Sequence, residues 1–183
     1  MKFPKKIAEL LLVVAFLLPH LFLNIRHTQD WGDDFAMYLI EAKNIADHKP
    51  VGETRHVTNP NVMLGPVNYP VGYPLLISPL VKNGIDYYKL NLLQSVFLII
   101  TLVLGFIFLR NYFSRTASIL MTMILAYNPS LMGFKIEVIS DLSFWMFLNI
   151  IILLVLKSRS LPGVIAIAAL TGFSIHIRSI GLF

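Results

Sequence analysis

Apolar positions in this chain come in long runs rather than in the alternations or narrow stripes of a soluble fold. Ile7 to Leu23 is apolar apart from Glu9, Pro19 and His20, and follows the basic cluster Lys2, Lys5 and Lys6. Leu90 to Leu109 carries no charge and, at roughly twenty residues, suffices for a hydrocarbon core of about 30 Å. Ala117 to Phe134 follows the basic turn Arg110–Arg115, and Ile139 to Leu156 stops at Lys157 and Arg159. Leu161 to Ile177, rich in Ala and Gly, ends at His176 and Arg178. Its small residues suit close helix packing in a bundle. The pattern predicts an all-α polytopic membrane helix bundle of about five transmembrane helices, over 7–23, 90–109, 117–134, 139–156 and 161–177. No small-x-small cleavage signal follows the first run, where Asn24, Ile25, Arg26 and His27 stand instead, so it reads as an uncleaved helix rather than a signal peptide.

The long polar loop 24–89 has a pattern of its own. Asp30-Trp31-Gly32-Asp33-Asp34 offers capping carboxylates before Phe35 to His48. There Phe35, Tyr38, Leu39, Ala42, Ile45 and Ala46 recur at helical spacing, with Glu41, Lys43, Asn44 and Asp47 on the other positions. This predicts an amphipathic helix lying along the membrane surface. Pro50 to Pro74, rich in Pro, Gly and Asn, is expected to be irregular. Leu75 to Val81 is apolar but too short to span, which makes it a second interfacial segment.

Composition supports this picture. Apolar residues make up 56% of the 183 and charged residues only 14%, too few to cover a soluble surface. Mean hydropathy is +0.72. The net charge of +5 does not point to nucleic acid, because the basic residues flank apolar runs instead of gathering into one patch. Lys2/Lys5/Lys6, Arg110/Arg115 and Lys157/Arg159 are expected in the cytoplasm, and the parity of the spans puts all three on one side. Loop 24–89, the turn Lys135–Asp141 and Arg178 then share the outer side. With no cysteine, disulfides, zinc-thiolate sites and thiol nucleophiles are excluded.

The candidate chemistry lies on that outer side. Asp33 and Asp34 read either as a cap with an acidic first turn or as a general base at the water–lipid boundary, with Tyr38 on the same face one turn later. Glu137 and Asp141, four apart, are carboxylates near hydrocarbon. They need a partner, a metal or a watery cavity, or form a snorkelled interfacial pair with Lys135. Arg178 is an interface anchor or a bidentate phosphate ligand. The segment Asn68 to Pro79 holds Tyr69 and Tyr73 among prolines, a rigid aromatic turn leading onto the membrane.

Taken in order, Gly32-Asp33-Asp34-Phe35-Ala36-Met37-Tyr38 with Glu41-Ala42, Tyr69-Pro70-Val71-Gly72-Tyr73-Pro74-Leu75-Leu76, Ser140-Asp141-Leu142-Ser143-Phe144, and Arg178 with Gly181 resemble the N-terminal part of a GT-C glycosyltransferase. The branch is dolichyl-phosphate-mannose–protein mannosyltransferase-like, or glycosyltransferase family 39-like. The resemblance implies inverting transfer of a sugar from a polyprenyl-phosphate donor to a glycan, lipid or protein acceptor on the non-cytoplasmic side of a bacterial inner membrane. It implies an acidic catalytic base in the first outer loop, Asp34 by position or Asp33 beside it. Tyr38, Tyr69, Tyr73, Glu137, Asp141 and Arg178 would bind substrate. No metal or other cofactor is assigned, although some GT-C enzymes use a divalent ion. Such enzymes have more spans than this chain, so the sequence is expected to be a partial one, lacking a C-terminal remainder. The alternatives are a transporter or channel fragment, with Asn128-Pro129 as its broken helix, and a non-catalytic membrane assembly subunit.

Overall fold

The computed structural model describes residues 5–28, 33–53, 55–56, 59–63 and 69–179. Within them the fold is all-α apart from one small hairpin. Helix α1 (Lys5–Leu17) runs into a 3-10 turn (Leu18–Leu21), and α2 (Asp33–Ala46) follows. Strands β1 (Arg55–His56) and β2 (Asn59–Met63) pair antiparallel, with an irregularity between the two β1 residues. Then come α3 (Gly72–Val81), α4 (Tyr87–Leu109), α5 (Arg115–Ala126), α6 (Pro129–Lys135), α7 (Asp141–Lys157) and α8 (Leu161–Ile177).

Helix starts follow local chemistry. The Asp86, Ser114, Asn128 and Ser160 side chains each accept a backbone N–H in the first turn of α4, α5, α6 and α8. The expected span 117–134 is broken instead of continuous. Pro129 drives Asn128 out of helical geometry (φ −66°, ψ 128°), and α5 and α6 meet at a 58° bend.

Helix α4 is the hub, packing against α1, α5, α6 and α7 and burying Leu90, Phe97, Leu98, Leu102 and Phe106. It is also the one helix among the described residues long and apolar enough by itself to cross a membrane; α5 and α6 together pass the same test as a bent pair. Polar clasps tie α4 to α7: Thr101 Oγ1 donates to Leu142 O (3.4 Å), and Asn149 Nδ2 donates to Thr101 O (3.2 Å). Helix α8 is apolar, yet only Ser174 and Ile177 of it are buried.

The loop differs from expectation in three ways. Helix α2 packs on α3, with Tyr38, Leu39 and Ala42 buried between protein elements. Its supposed polar face is partly buried too, since Glu41 and Asn44 lie inside; Asn44 Nδ2 donates to Glu53 O (2.8 Å), tying down the chain after α2. The segment 50–74 is not wholly irregular, because it carries the hairpin and the start of α3. Pro74 is harmless in the first turn of α3. Pro79 lies within the helix and cannot donate to Leu75 O, and Ser78 Oγ bonds that carbonyl instead (3.0 Å).

Candidate functional site

Four sequence-distant segments meet at one end of the bundle. From α2, Tyr38 Oη lies 3.1 Å from Ser140 Oγ at the start of α7. The Tyr38 ring packs edge-on against Tyr73 (5.0 Å between centroids) and against Tyr69 (5.4 Å). Gln94 of α4 donates Nε2 to Tyr73 Oη (2.5 Å) and to Ile139 O (2.7 Å), fixing α3 and the approach to α7 on the hub. Asp141, the first residue of α7, pairs with Arg178 Nη1 just after α8. The backbone N–H of Arg178 donates to Ser174 O (3.0 Å), but its guanidinium has no other partner among the described residues, so the remaining side-chain N–H groups are open; the side chain is 41% exposed.

Glycine at position 72 makes this convergence possible. A Cβ there would lie 2.6 Å from the His176 carbonyl carbon and oxygen and 2.8 Å from Ile177 N. Only a bare Cα lets the start of α3 touch the backbone that ends α8, and Arg178 follows directly.

Burial divides the candidates. Tyr38 and Tyr73 are 4% and 1% exposed and hold α2, α3 and α7 together, whereas Tyr69 is half-buried. Burial, then the neighbouring Tyr38 and Asp141, push the Tyr73 phenol well above its usual range, so it stays protonated. Helix α2 begins at Asp33, which puts the backbone of Asp33 and Asp34 within about one and a half turns of Tyr38. Their side chains lie outside the described residues, as do Asp30, Trp31, Gly32, Asn68 and Gly181.

Asp141 pairs with Arg178, and no hydrogen bond or ion pair joins Glu137 to Asp141 among the described residues. Lys135 is not the snorkelled partner of Glu137 either. It is 1% exposed and donates Nζ to the carbonyls of His20 (2.8 Å) and Leu23, capping the end of the first helical segment. Among the described residues no three His, Asp or Glu side chains form a group able to hold a metal ion.

Ser140 and Gln94 were not among the residues expected at the site. Gln94 carried a signal, being an amide in the middle of an apolar run. Glu41 is fully buried with neither carboxylate oxygen bonded, and burial raises its carboxyl to about 7. No protein-family model, curated protein or solved structure matches the chain.

Proposed function

We propose that this chain is a multi-pass membrane protein and part of a GT-C-type glycosyltransferase that moves a sugar from a polyprenyl-phosphate donor to an acceptor on the non-cytoplasmic side. The supporting observation is the convergence of the α2, Tyr69–Tyr73, Asp141 and Arg178 segments, the same segments that carry the resemblance, at one end of the bundle.

Membrane insertion over about five spans fits the exposed surfaces. Ile7, Leu11 and Leu12 on α1, Leu120 and Ile124 on α5, Val155 and Leu156 on α7, and Leu161, Val164 and Ile165 on α8 all face outward. A helix that is apolar and yet exposed, as α8 is, belongs in lipid or against further protein. The 17 residues of α7 rise about 26 Å, close to the hydrocarbon thickness once its charged ends reach the interfaces. Arg110, Arg115 and Lys157 gather at the end opposite Asp141 and Arg178, as the expected inward orientation requires.

In the proposed reaction Asp34, or Asp33 beside it, takes the proton from the acceptor hydroxyl. The acceptor oxygen attacks the anomeric carbon from the face opposite the phosphate. The carbon–oxygen bond to the phosphate breaks, its electron pair leaves with the polyprenyl phosphate, and the anomeric configuration inverts. The open N–H groups of Arg178 receive the developing phosphate charge, while Asp141 holds the guanidinium in place. Polyprenyl phosphate is a good leaving group, so no strong acid is required.

A transport pathway finds less support. A cavity of about 570 Å³ lies beside the α5–α6 bend, yet no charged side chain lines it, and the proline accounts for the bend. The test is sugar transfer from a polyprenyl-phosphate-linked donor by membranes carrying the chain in its natural context. Asp34→Asn or Asp33→Asn is expected to cut the rate at least 100-fold, in line with loss of a general base. Full activity in both variants removes the base assignment. Unchanged donor affinity in Arg178→Ala removes the phosphate role.

A further inference from the structure

At the end of the bundle opposite the candidate site, the start of α1 and the ends of α4 and α7 surround a cavity of about 290 Å³. Its charge is uneven. Lys6, Arg110 and Lys157 line it with a single carboxylate, Glu9. That carboxylate is already occupied: it is buried, with Arg110 Nε at 3.1 Å and Arg115 Nε at 3.6 Å. The pair fixes Arg110, whose Nη1 also donates to Phe113 O (2.9 Å), leaving further N–H groups uncommitted. Lys6 and Lys157 are exposed and make no ion pair among the described residues.

The other wall is apolar, made by Leu10, Phe106 and Ile107. A fixed guanidinium and two free ammonium groups over an apolar floor suit a molecule that is anionic at one end and hydrocarbon at the other. The volume admits a phosphate and glycerol, not a large ligand. Basic pockets between membrane helices bind phospholipid headgroups by this combination of charge and adjoining hydrocarbon.

We propose that this cavity is a binding site for the phosphodiester headgroup of an anionic phospholipid, with Lys6, Arg110 and Lys157 on the phosphate and the first part of an acyl chain against Leu10, Phe106 and Ile107. The site requires the bundle to sit in a bilayer but does not require sugar transfer, so it stands or falls apart from the transferase reading. Glu9 serves as the anchor that keeps Arg110 turned into the cavity.

The test is native mass spectrometry of the detergent-purified chain titrated with phosphatidylglycerol, phosphatidylcholine or inorganic phosphate. A parallel titration uses a Lys6→Gln/Lys157→Gln double variant whose far-ultraviolet helicity matches wild type. Phosphatidylglycerol is expected to bind more tightly than phosphatidylcholine. The double variant is expected to lose about thirty-fold in phosphatidylglycerol affinity, from roughly five-fold per lysine at a membrane surface. A Lys82→Gln/Lys89→Gln control at the other end of the bundle is expected to leave that affinity unchanged. Equal binding of the two lipids, or an equal loss in the control, overturns the site. Displacement of phosphatidylglycerol by an equimolar amount of inorganic phosphate overturns the lipid as its occupant.

Discussion

Gly72→Ala sets two physical effects against each other. Helix propensity favours alanine over glycine by about 1 kcal/mol within a helix, so an isolated α3 would gain from the change. The surroundings oppose it. The new methyl would stand 2.6 Å from the His176 carbonyl and 2.8 Å from Ile177 N, where ordinary contact begins at 3.4 Å. Both obstacles are backbone, so no side chain can swing away. The ends of α3 and α8 must separate by close to 1 Å, and such overpacking costs about 1–3 kcal/mol. The net expectation is destabilisation, seen as a lower Tm in thermal unfolding of the purified chain in detergent. Gly105→Ala and Gly172→Ala are the internal controls. Both glycines lie inside helices with nothing within 4 Å of the added carbon, so propensity acts alone and Tm is expected to rise. Because Arg178 follows the displaced backbone, Gly72→Ala is also expected to weaken the coupling between Asp141 and Arg178 in a double-mutant cycle. A Gly72→Ala protein as stable as wild type, or more so, refutes the close-approach argument.

Other consequences are open to measurement. Glu41 has a folded-state value of about 7 against an ordinary 4.5, so the folded form holds this proton more tightly than the unfolded form does. Its contribution is therefore fully present below pH 4.5 and is lost as pH climbs through 7, by at most about 3 kcal/mol. Glu41→Gln is expected to flatten the dependence of Tm on pH between 5 and 8 and to exceed wild type at pH 8; a wild-type profile already flat there contradicts it. Lys135→Met strips the donor from the His20 and Leu23 carbonyls and is expected to cost about 1–3 kcal/mol, read by the same unfolding assay. A change within about 0.5 kcal/mol would mean that Lys135 only snorkels.

The helices were largely legible in the sequence because their apolar runs and capping residues are local signals. Leu90–Leu109, Ile139–Leu156 and Leu161–Ile177 lie within or close to α4, α7 and α8, and Asp33 opens α2. The break at Asn128 was visible as an Asn-Pro pair, yet the apolar pattern on either side argued for continuity. Proximity in space was not legible. Nothing local says that Lys135 turns inward to the first helix, or that Glu41 is buried. A helical wheel assigns charged residues to the solvent face, and the packing of α2 on α3 overrode it. At the site, Asp141 was readable as a carboxylate near the interface that needed a partner, and Arg178 as an interface anchor or a phosphate ligand. Their being each other's partner depends on Gly72, whose role appears only once α8 is laid against α3.

A multi-pass bundle of the proposed kind requires its two ends to lie on opposite sides of a membrane, and the chain lends itself to that test because it has no cysteine. Single cysteines at Lys82 and Ser179 mark the end that carries the candidate site, and cysteines at Asn111 and Arg159 mark the basic end; all four positions are exposed. Labelling with a membrane-impermeant maleimide is expected to reach Lys82→Cys and Ser179→Cys in intact spheroplasts, and Asn111→Cys and Arg159→Cys only after permeabilisation. Equal labelling of Lys82→Cys and Asn111→Cys in intact spheroplasts would place both ends on one side and contradict the account.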